Sequence, residues 1–209
     1  MSETLLVSPH AWRRSIAERL QADWHSRPDA GAIPLFRHPP AHAPVPAAVL
    51  VPLVARAPEP TILLTQRTPH LNVHGGQISF PGGRVDLGDV DRVDTALRET
   101  EEETGVPRDR VEILGMLPDY DIMTGFRVTP VVGWVEPPFD IRPDPFEVAE
   151  VFEVPLAFFL DPANYVAQSR EVNGALRHFY AMPWQGRNIW GATAGMLRSL
   201  YRALAVEDR

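Results

Sequence analysis

The chain has 209 residues, 44% of them apolar, with a net charge of −7 and no cysteine. That size and apolar share suit one domain with a full hydrophobic core and exclude global disorder, and the missing cysteines exclude disulfides and thiolate metal sites. The acidic balance argues against broad attraction to nucleic acid, and no apolar run is long enough to cross a bilayer.

The first fifteen residues lack the basic start and apolar core of a signal peptide, so a soluble, cytoplasmic protein with neither nucleic-acid nor membrane partner is expected. All 20 basic residues are arginine. Any phosphate contact must therefore come from Arg, His or backbone N–H groups.

Residues 9–24 (PHAWRRSIAERLQADW) carry apolar side chains at helical spacing and predict an amphipathic helix. Arg27 to Pro46 is rich in proline and reads as an extended connector. AAVLVPLVAR (47–56) and TILLTQR (61–67) predict two strands, with APEP as the turn between them. After the glycine-rich HGGQISFPGGRVD comes an acidic helix from about Val90 to Thr104, ended by Gly105 and Pro107. Strands resume at VEILGML, RVTPVVGWVE and near EVAEVFEV, and PLAFFLDP predicts a short helix. YVAQSREV and LRHFYAMPW predict a hairpin, and the last helix runs through ATAGMLRSLYRALAVE. Residues 1–46 thus read as an N-terminal helix and connector, and 47–206 as one domain without internal repeats. Its expected class is α+β, an α/β/α sandwich with a mixed central sheet flanked by helices.

The acidic helix holds Glu99, Glu101, Glu102 and Glu103 within one and a half turns. At about 100° per residue, Glu103 lies roughly 40° from Glu99 and Glu102 about 60° to its other side, so these three share a face. Val93, Leu97, Thr100 and Thr104 form another stripe, expected toward the core. Glu101 points elsewhere and reads as solvated surface. Arg98 stands one turn before Glu102 and can pair with it. A hard divalent ion takes a few carboxylates and completes its shell with water or phosphate oxygens. The glycines of FPGG allow backbone to approach such a ligand closely.

GGRVDLGDVDRVDTALRETEEETGV (82–106) resembles the signature of the Nudix hydrolases: Gly, five spacers, Glu, seven spacers, then Arg-Glu-U-x-Glu-Glu-x-Gly-U, where U is aliphatic. Arg98, Glu99, Glu102, Glu103, Gly105 and Val106 fit its second half. Asp89 stands where Glu is usual, eight residues rather than seven separate it from Arg98, and Thr100 replaces an aliphatic residue. The same Asp and the same extra residue are usual in one subgroup, the coenzyme A pyrophosphatases. LLTQRTPHLNVHGGQISFPGG (63–83) resembles that subgroup's second signature through Leu63, Leu64, Thr65, Arg67, Gly76 and Phe80 to Gly83, with Thr68 for Ser or Ala and Asn72 for an Arg.

The resemblance implies the Nudix fold, magnesium or manganese as cofactor, and Glu99, Glu102, Glu103 and the Gly83 carbonyl as metal ligands. It implies Glu103, Glu147 and Arg98 as the catalytic set, with Glu150 as the alternative to Glu147. Arg67, Arg84 and His74 are the substrate-binding candidates. Trp190 is expected as a core anchor and Thr193 as the cap of the last helix. The implied reaction is hydrolysis of the pyrophosphate bond of coenzyme A or a derivative, giving adenosine 3′,5′-bisphosphate and phosphopantetheine. The competing readings are the same chemistry on ADP-ribose or another nucleoside diphosphate derivative, and a non-catalytic nucleotide-binding module. The expected partner is a coenzyme A-like small molecule; a homodimer is left open.

Overall fold

The computed structural model describes residues 8–22, 43–70, 75–172 and 174–205. The elements in chain order are α1 (Pro9–Gln21), β1 (Val45–Val54), β2 (Thr61–Arg67), β3 (Ile78–Ser79), β4 (Gly82–Arg84), α2 (Arg92–Thr104), β5 (Val111–Met116), β6 (Tyr120–Asp121), β7 (Phe126–Val135), β8 (Val148–Pro155), α3 (Leu156–Leu160), β9 (Val166–Val172), β10 (Ala175–Trp184), β11 (Arg187–Trp190) and α4 (Ala192–Leu204).

The near-continuous apolar runs of β1 and β7 make them the innermost strands, because a strand covered on both faces has no polar side to show. They pair in parallel from Val45 opposite Phe126 to Val54 opposite Val135, and the sheet order is β3-β2-β1-β7-β5. The other pairings are antiparallel: β8 on β2, β4 on β1 and β6 on β7. A second sheet, β11-β10-β9, carries the expected hairpin. On one face of the main sheet, Ala96 of α2 packs with Ala48, Leu50 and Val131. On the other, α1, α3, α4 and the second sheet cover the larger core around Leu53, Trp134, Phe159 and Leu197. This is the expected mixed sheet between helical layers.

Several local expectations change. The first helix stops at Gln21, where Ala22 turns extended, and Asp23 and Trp24 lie outside the described residues. Ile16 and Leu20 of this helix sit in the larger core, and the Arg19 guanidinium donates to the Leu204 carbonyl at 2.8 Å. Val45 and Pro46, read as the end of the connector, already belong to β1. The last helix ends at Leu204, and residues 206–207 lie outside the described ones. Thr193 does not cap it: the helix starts after Gly191, and the Thr193 hydroxyl donates to the Ile78 carbonyl at 3.0 Å, tying the helix to β3. Trp190 is only half-buried, its ring 5.4 Å from Phe179, while its neighbour Ile189 fills the core position.

Candidate active site

The Asp91 carboxylate caps α2 by accepting from the Asp94 N–H at 2.8 Å, and Gly105 closes the helix at φ 77°. Thr100 and Thr104 are buried, and each hydroxyl donates to the carbonyl one turn earlier at 2.6 Å, so threonine serves where an aliphatic residue is usual. β4 lies along β1 and brings Gly82 and Gly83 under the opposite side of the helix. A Cβ on Gly83 would collide with the Glu99 carboxylate, so glycine is what admits that side chain.

Glu103 is 5% exposed. Its carboxylate accepts from the Gly82 N–H at 3.4 Å and lies 3.6 Å from the Arg67 guanidinium. Burial pushes its pKa up to about 8, against the pull of Arg67, and the Glu99 and Glu147 charges push in the same direction. Glu99 is also raised, chiefly by burial, with Arg98 pulling it down. Glu102 shares the helix face but is turned out, its side chain 60% exposed. Glu101 is exposed, 3.8 Å from the Arg108 guanidinium.

Arg98 ties the acidic groups together. Its Nε and one terminal nitrogen donate to both Asp89 oxygens at 2.8 and 3.0 Å, and the other terminal nitrogen donates to Glu99 and to Glu102 at 3.0 Å each. The Asp89 side chain is 3% exposed and also accepts from the Thr95 hydroxyl and the Asp86 N–H at 2.8 Å. These donors, Arg98 first, hold its carboxyl well below the usual range, and the pairing raises Arg98 further. Arg98, expected among the catalytic residues, directs its donors to Asp89, Glu99 and Glu102 and to the Arg84 carbonyl at 3.2 Å. The motif marks Asp89 by position, but its task of seating Arg98 is visible only in the fold.

Glu147 reaches the same place from another element. It ends a turn whose Asp144 N–H donates to the Glu103 carbonyl at 3.1 Å, while the Arg142 N–H donates to the Thr104 carbonyl at 2.8 Å. On the far side, the Thr68 N–H donates to the Glu147 carbonyl at 2.9 Å. Arg67 spans the gap, donating to the Glu147 carboxylate at 3.3 Å while facing Glu103. Glu150, the alternative, instead accepts from Arg187 at 2.5 Å, across to β11. Arg84 is exposed, with its guanidinium over the Phe126 ring at 5.2 Å. His74 and Asn72 lie outside the described residues.

The structure therefore brings together Glu99, Glu103, Glu147, Arg67, Arg98 and Gly83, with Glu102 at the rim. Among the described residues, no three acidic or histidine side chains close into a preassembled cage. The donor set still fits a hard divalent ion. Mutually repelling carboxylates, two of them with raised proton affinity, stand beside a glycine backbone, and such an ion completes its shell with water and substrate oxygens.

Residues 44–176 match the family model described as NUDIX domain. The chain is 43% identical over 161 residues to the uncharacterized Nudix hydrolase NudL of Escherichia coli (strain K12), covering 77% of this chain and 83% of that one. Among solved structures, DR0079 from Deinococcus radiodurans shares the fold with a TM-score of 0.51 at 15% identity, over 80% of this chain and 90% of that one. The NUDIX domain of Shewanella oneidensis NrtR complexed with ADP ribose matches with a TM-score of 0.43 at 24% identity, over 56% of this chain and 75% of that one.

Proposed function

This chain belongs to the Nudix hydrolases, and from that membership we propose that it hydrolyses the pyrophosphate bond of coenzyme A or a coenzyme A derivative. The observation that carries the reading is the pair of half-buried and buried carboxylates, Glu99 and Glu103, facing Gly82–Gly83 with Glu147 linked to them through Arg67. Glu99, Glu103 and the Gly83 carbonyl would hold magnesium or manganese, with Glu102 available from the rim. When bound, the ion supplies charge neutralisation on the diphosphate oxygens and a water of lowered pKa.

The chain's own groups do the rest. Arg98 fixes Glu99 and Glu102 in direction, and Arg67 keeps Glu103 and Glu147 on one side of the site. Glu103 or Glu147 takes the proton of the attacking water as its oxygen bonds to phosphorus and the bridging P–O bond breaks. The leaving phosphate oxygen carries away the electron pair, giving adenosine 3′,5′-bisphosphate and phosphopantetheine.

The substrate narrowing rests on residues 63–83. Leu63 and Leu64 are fully buried, and the Thr65 hydroxyl donates to Ser79 at 3.3 Å, so these signature residues shape the sheet. Arg67 is the described side chain of that segment that meets the carboxylates, and it is the donor assigned here to a substrate phosphate. Purified protein with Mg2+ or Mn2+ is offered coenzyme A, its 3′-dephospho form, ADP-ribose and a nucleotide sugar, with products read by mass. Coenzyme A should exceed its 3′-dephospho form roughly tenfold or more in kcat/KM, the size of one charged hydrogen bond. Faster turnover of ADP-ribose or the nucleotide sugar overturns the substrate and leaves the hydrolase reading standing.

A further inference from the structure

The second sheet ends in a strand whose outer edge is open. In the order β11-β10-β9, no strand among the described residues lies beyond β9. β11 reaches β10 only from Ala181 to Trp184, so from Ala175 to Phe179 the hairpin is a two-stranded ribbon, a form of marginal stability in water. Residues Val166 to Glu171 are exposed, whichever face of the ribbon they lie on. An open edge invites another strand, and proteins guard theirs with bulges, proline or cover. The main sheet is guarded in this way. β5 has a register shift between Ile113 and Gly115 and lies against α1, and β8 is shifted against β2 at Gln66–Arg67 and ends in Pro155. β9 pairs through all 7 residues without a shift and contains no proline, and its two charges, Arg170 and Glu171, cancel.

The direction of its free backbone groups follows from the register. Val172 and Ala175 close the hairpin over two residues, and the pair closing such a turn is hydrogen-bonded. Hydrogen-bonded and open pairs alternate from there. Val172, Arg170, Gln168 and Val166 therefore turn their main-chain groups to β10, while Glu171, Ser169 and Ala167 turn theirs outward. Tyr180 shows the same parity: it stands opposite Ala167, and its carbonyl points away from β9, accepting from the Gly191 N–H at 3.1 Å. We propose that a second copy of this chain adds to this edge, its β9 antiparallel to the first about a two-fold axis between the two copies of Ser169. Ser169 then pairs with its own copy and Ala167 with Glu171 of the second copy, each pair exchanging two hydrogen bonds, so every outward group is used. Between them Gln168 faces Arg170 of the second copy, and no like charges meet. Sliding by two residues one way sets Arg170 against its own copy, and sliding the other way carries Glu171 past the end of the strand. The edge is thus most complementary to itself in this one register, and the inference stands whatever substrate the active site takes.

The test is analytical ultracentrifugation of the full chain from about 1 μM to about 1 mM, the range suited to a small interface. The wild-type mass should rise from that of one chain toward that of two. Ser169→Pro removes an outward N–H, leaves the β10 ladder intact and should stay monomeric. Ser169→Arg and Ser169→Glu each set like charges opposite one another at the axis and should stay monomeric alone. Their equimolar mixture should associate at least as tightly as the wild type. The chain has no cysteine, so Ser169→Cys supplies a single thiol. Its two copies would stand about 5.5 Å apart at Cα, within disulfide reach, and mild oxidation should link them. Leu176→Cys lies on the same ribbon but three strand spacings from its copy, at least about 14 Å, and should not cross-link. A wild type that stays monomeric throughout the range overturns the proposal, as does a dimer that survives Ser169→Arg or a charged mixture that remains monomeric. Should Ser169→Pro or a charged variant lose the wild-type circular dichroism, the cysteine pair decides. No cross-link with Ser169→Cys, or an equal one with Leu176→Cys, then overturns the edge.

Discussion

Replacing Glu103 by Gln should stabilise the metal-free protein, and the gain should depend on pH in one direction. Glu103 is buried, so its charge is poorly solvated, and its carboxyl is pushed up to about 8 from the ordinary 4.5. A group whose proton affinity is higher in the folded state keeps its proton while the unfolded chain loses its own. Between pH 4.5 and 8 the wild type therefore loses stability relative to the variant as pH rises, and above pH 8 the difference levels off. Below pH 4.5 both states hold the proton and the difference is small. The gap between the two pKa values corresponds to on the order of 3–5 kcal/mol once water admitted by local opening is allowed for. At about 2–4 °C per kcal/mol for a chain of this length, the variant should melt roughly 10 °C higher at pH 8. Glu99, raised in both proteins, cancels to first order.

The assay is urea and thermal unfolding from pH 5 to 9 with a chelator present, for wild type and Glu103→Gln. Added Mg2+ should reverse the order, because an ion that binds only the folded wild type raises its melting temperature and barely moves the variant. A difference between the two proteins that stays constant from pH 5 to 9 would refute the reasoning. It would mean that Arg67, 3.6 Å away, keeps the carboxylate ionised despite burial.

In steady-state kinetics, Glu99→Gln and Glu103→Gln should each cut turnover by several orders of magnitude while the exposed Glu101→Gln stays near wild type; equal losses for all three would sink the assignment of the buried face. Arg98→Ala strips the Asp89 carboxylate of its main partner in a nearly closed site and should cost roughly 3 kcal/mol in urea unfolding; a loss under about 1 kcal/mol would show that water replaces the guanidinium freely. Glu147→Gln should lower kcat at least about tenfold with little change in melting temperature, whereas Glu150→Gln, which only breaks the pair with Arg187, should leave kcat unchanged. The opposite pattern would move the assignment three residues on, from the turn to Glu150 of β8.

The strands that could be read in advance are those whose burial dictates composition. β1 and β7 are apolar along almost their whole length because both faces are covered, and α2 announces itself through Asp91, Gly105 and its 3.6-residue pattern. The two- and three-residue strands β3, β4 and β6 could not be read, since they exist through pairing rather than propensity; β4 is two glycines and an arginine. Helical geometry put Glu99 and Glu103 correctly on the face toward Gly82–Gly83. It left Glu102 on the same face, yet a further 60° of rotation turns that side chain out to solvent, where Arg98 still reaches it. Thr193 looked like a cap because nothing local reveals that the Ile78 carbonyl, 115 residues earlier, waits for its hydroxyl. The link from Arg67 to Glu147 spans 80 residues and follows from the pairing of β2 with β8, whose register shifts between Gln66 and Arg67.

Arg67 is the residue on which the electrostatics of the site turn. In the metal-free protein its two terminal nitrogens face Glu103 and Glu147, at 3.6 and 3.3 Å, so its charge is largely spent on carboxylates. A diphosphate arriving alone would meet acidic side chains and an arginine already engaged. At neutral pH, Glu103 relieves part of this crowding by holding a proton, because burial and its neighbours raise its affinity for one. Glu99 and Glu103 would hold a divalent cation only with that proton given up, since a carboxylate ligand is deprotonated. With that charge balanced, the Arg67 guanidinium would be left to face a phosphate oxygen. The raised proton affinity that weakens the empty site and the readiness of that site for a cation thus have one cause: more carboxylate has been gathered against Gly82–Gly83 than Arg67 and Arg98 can balance.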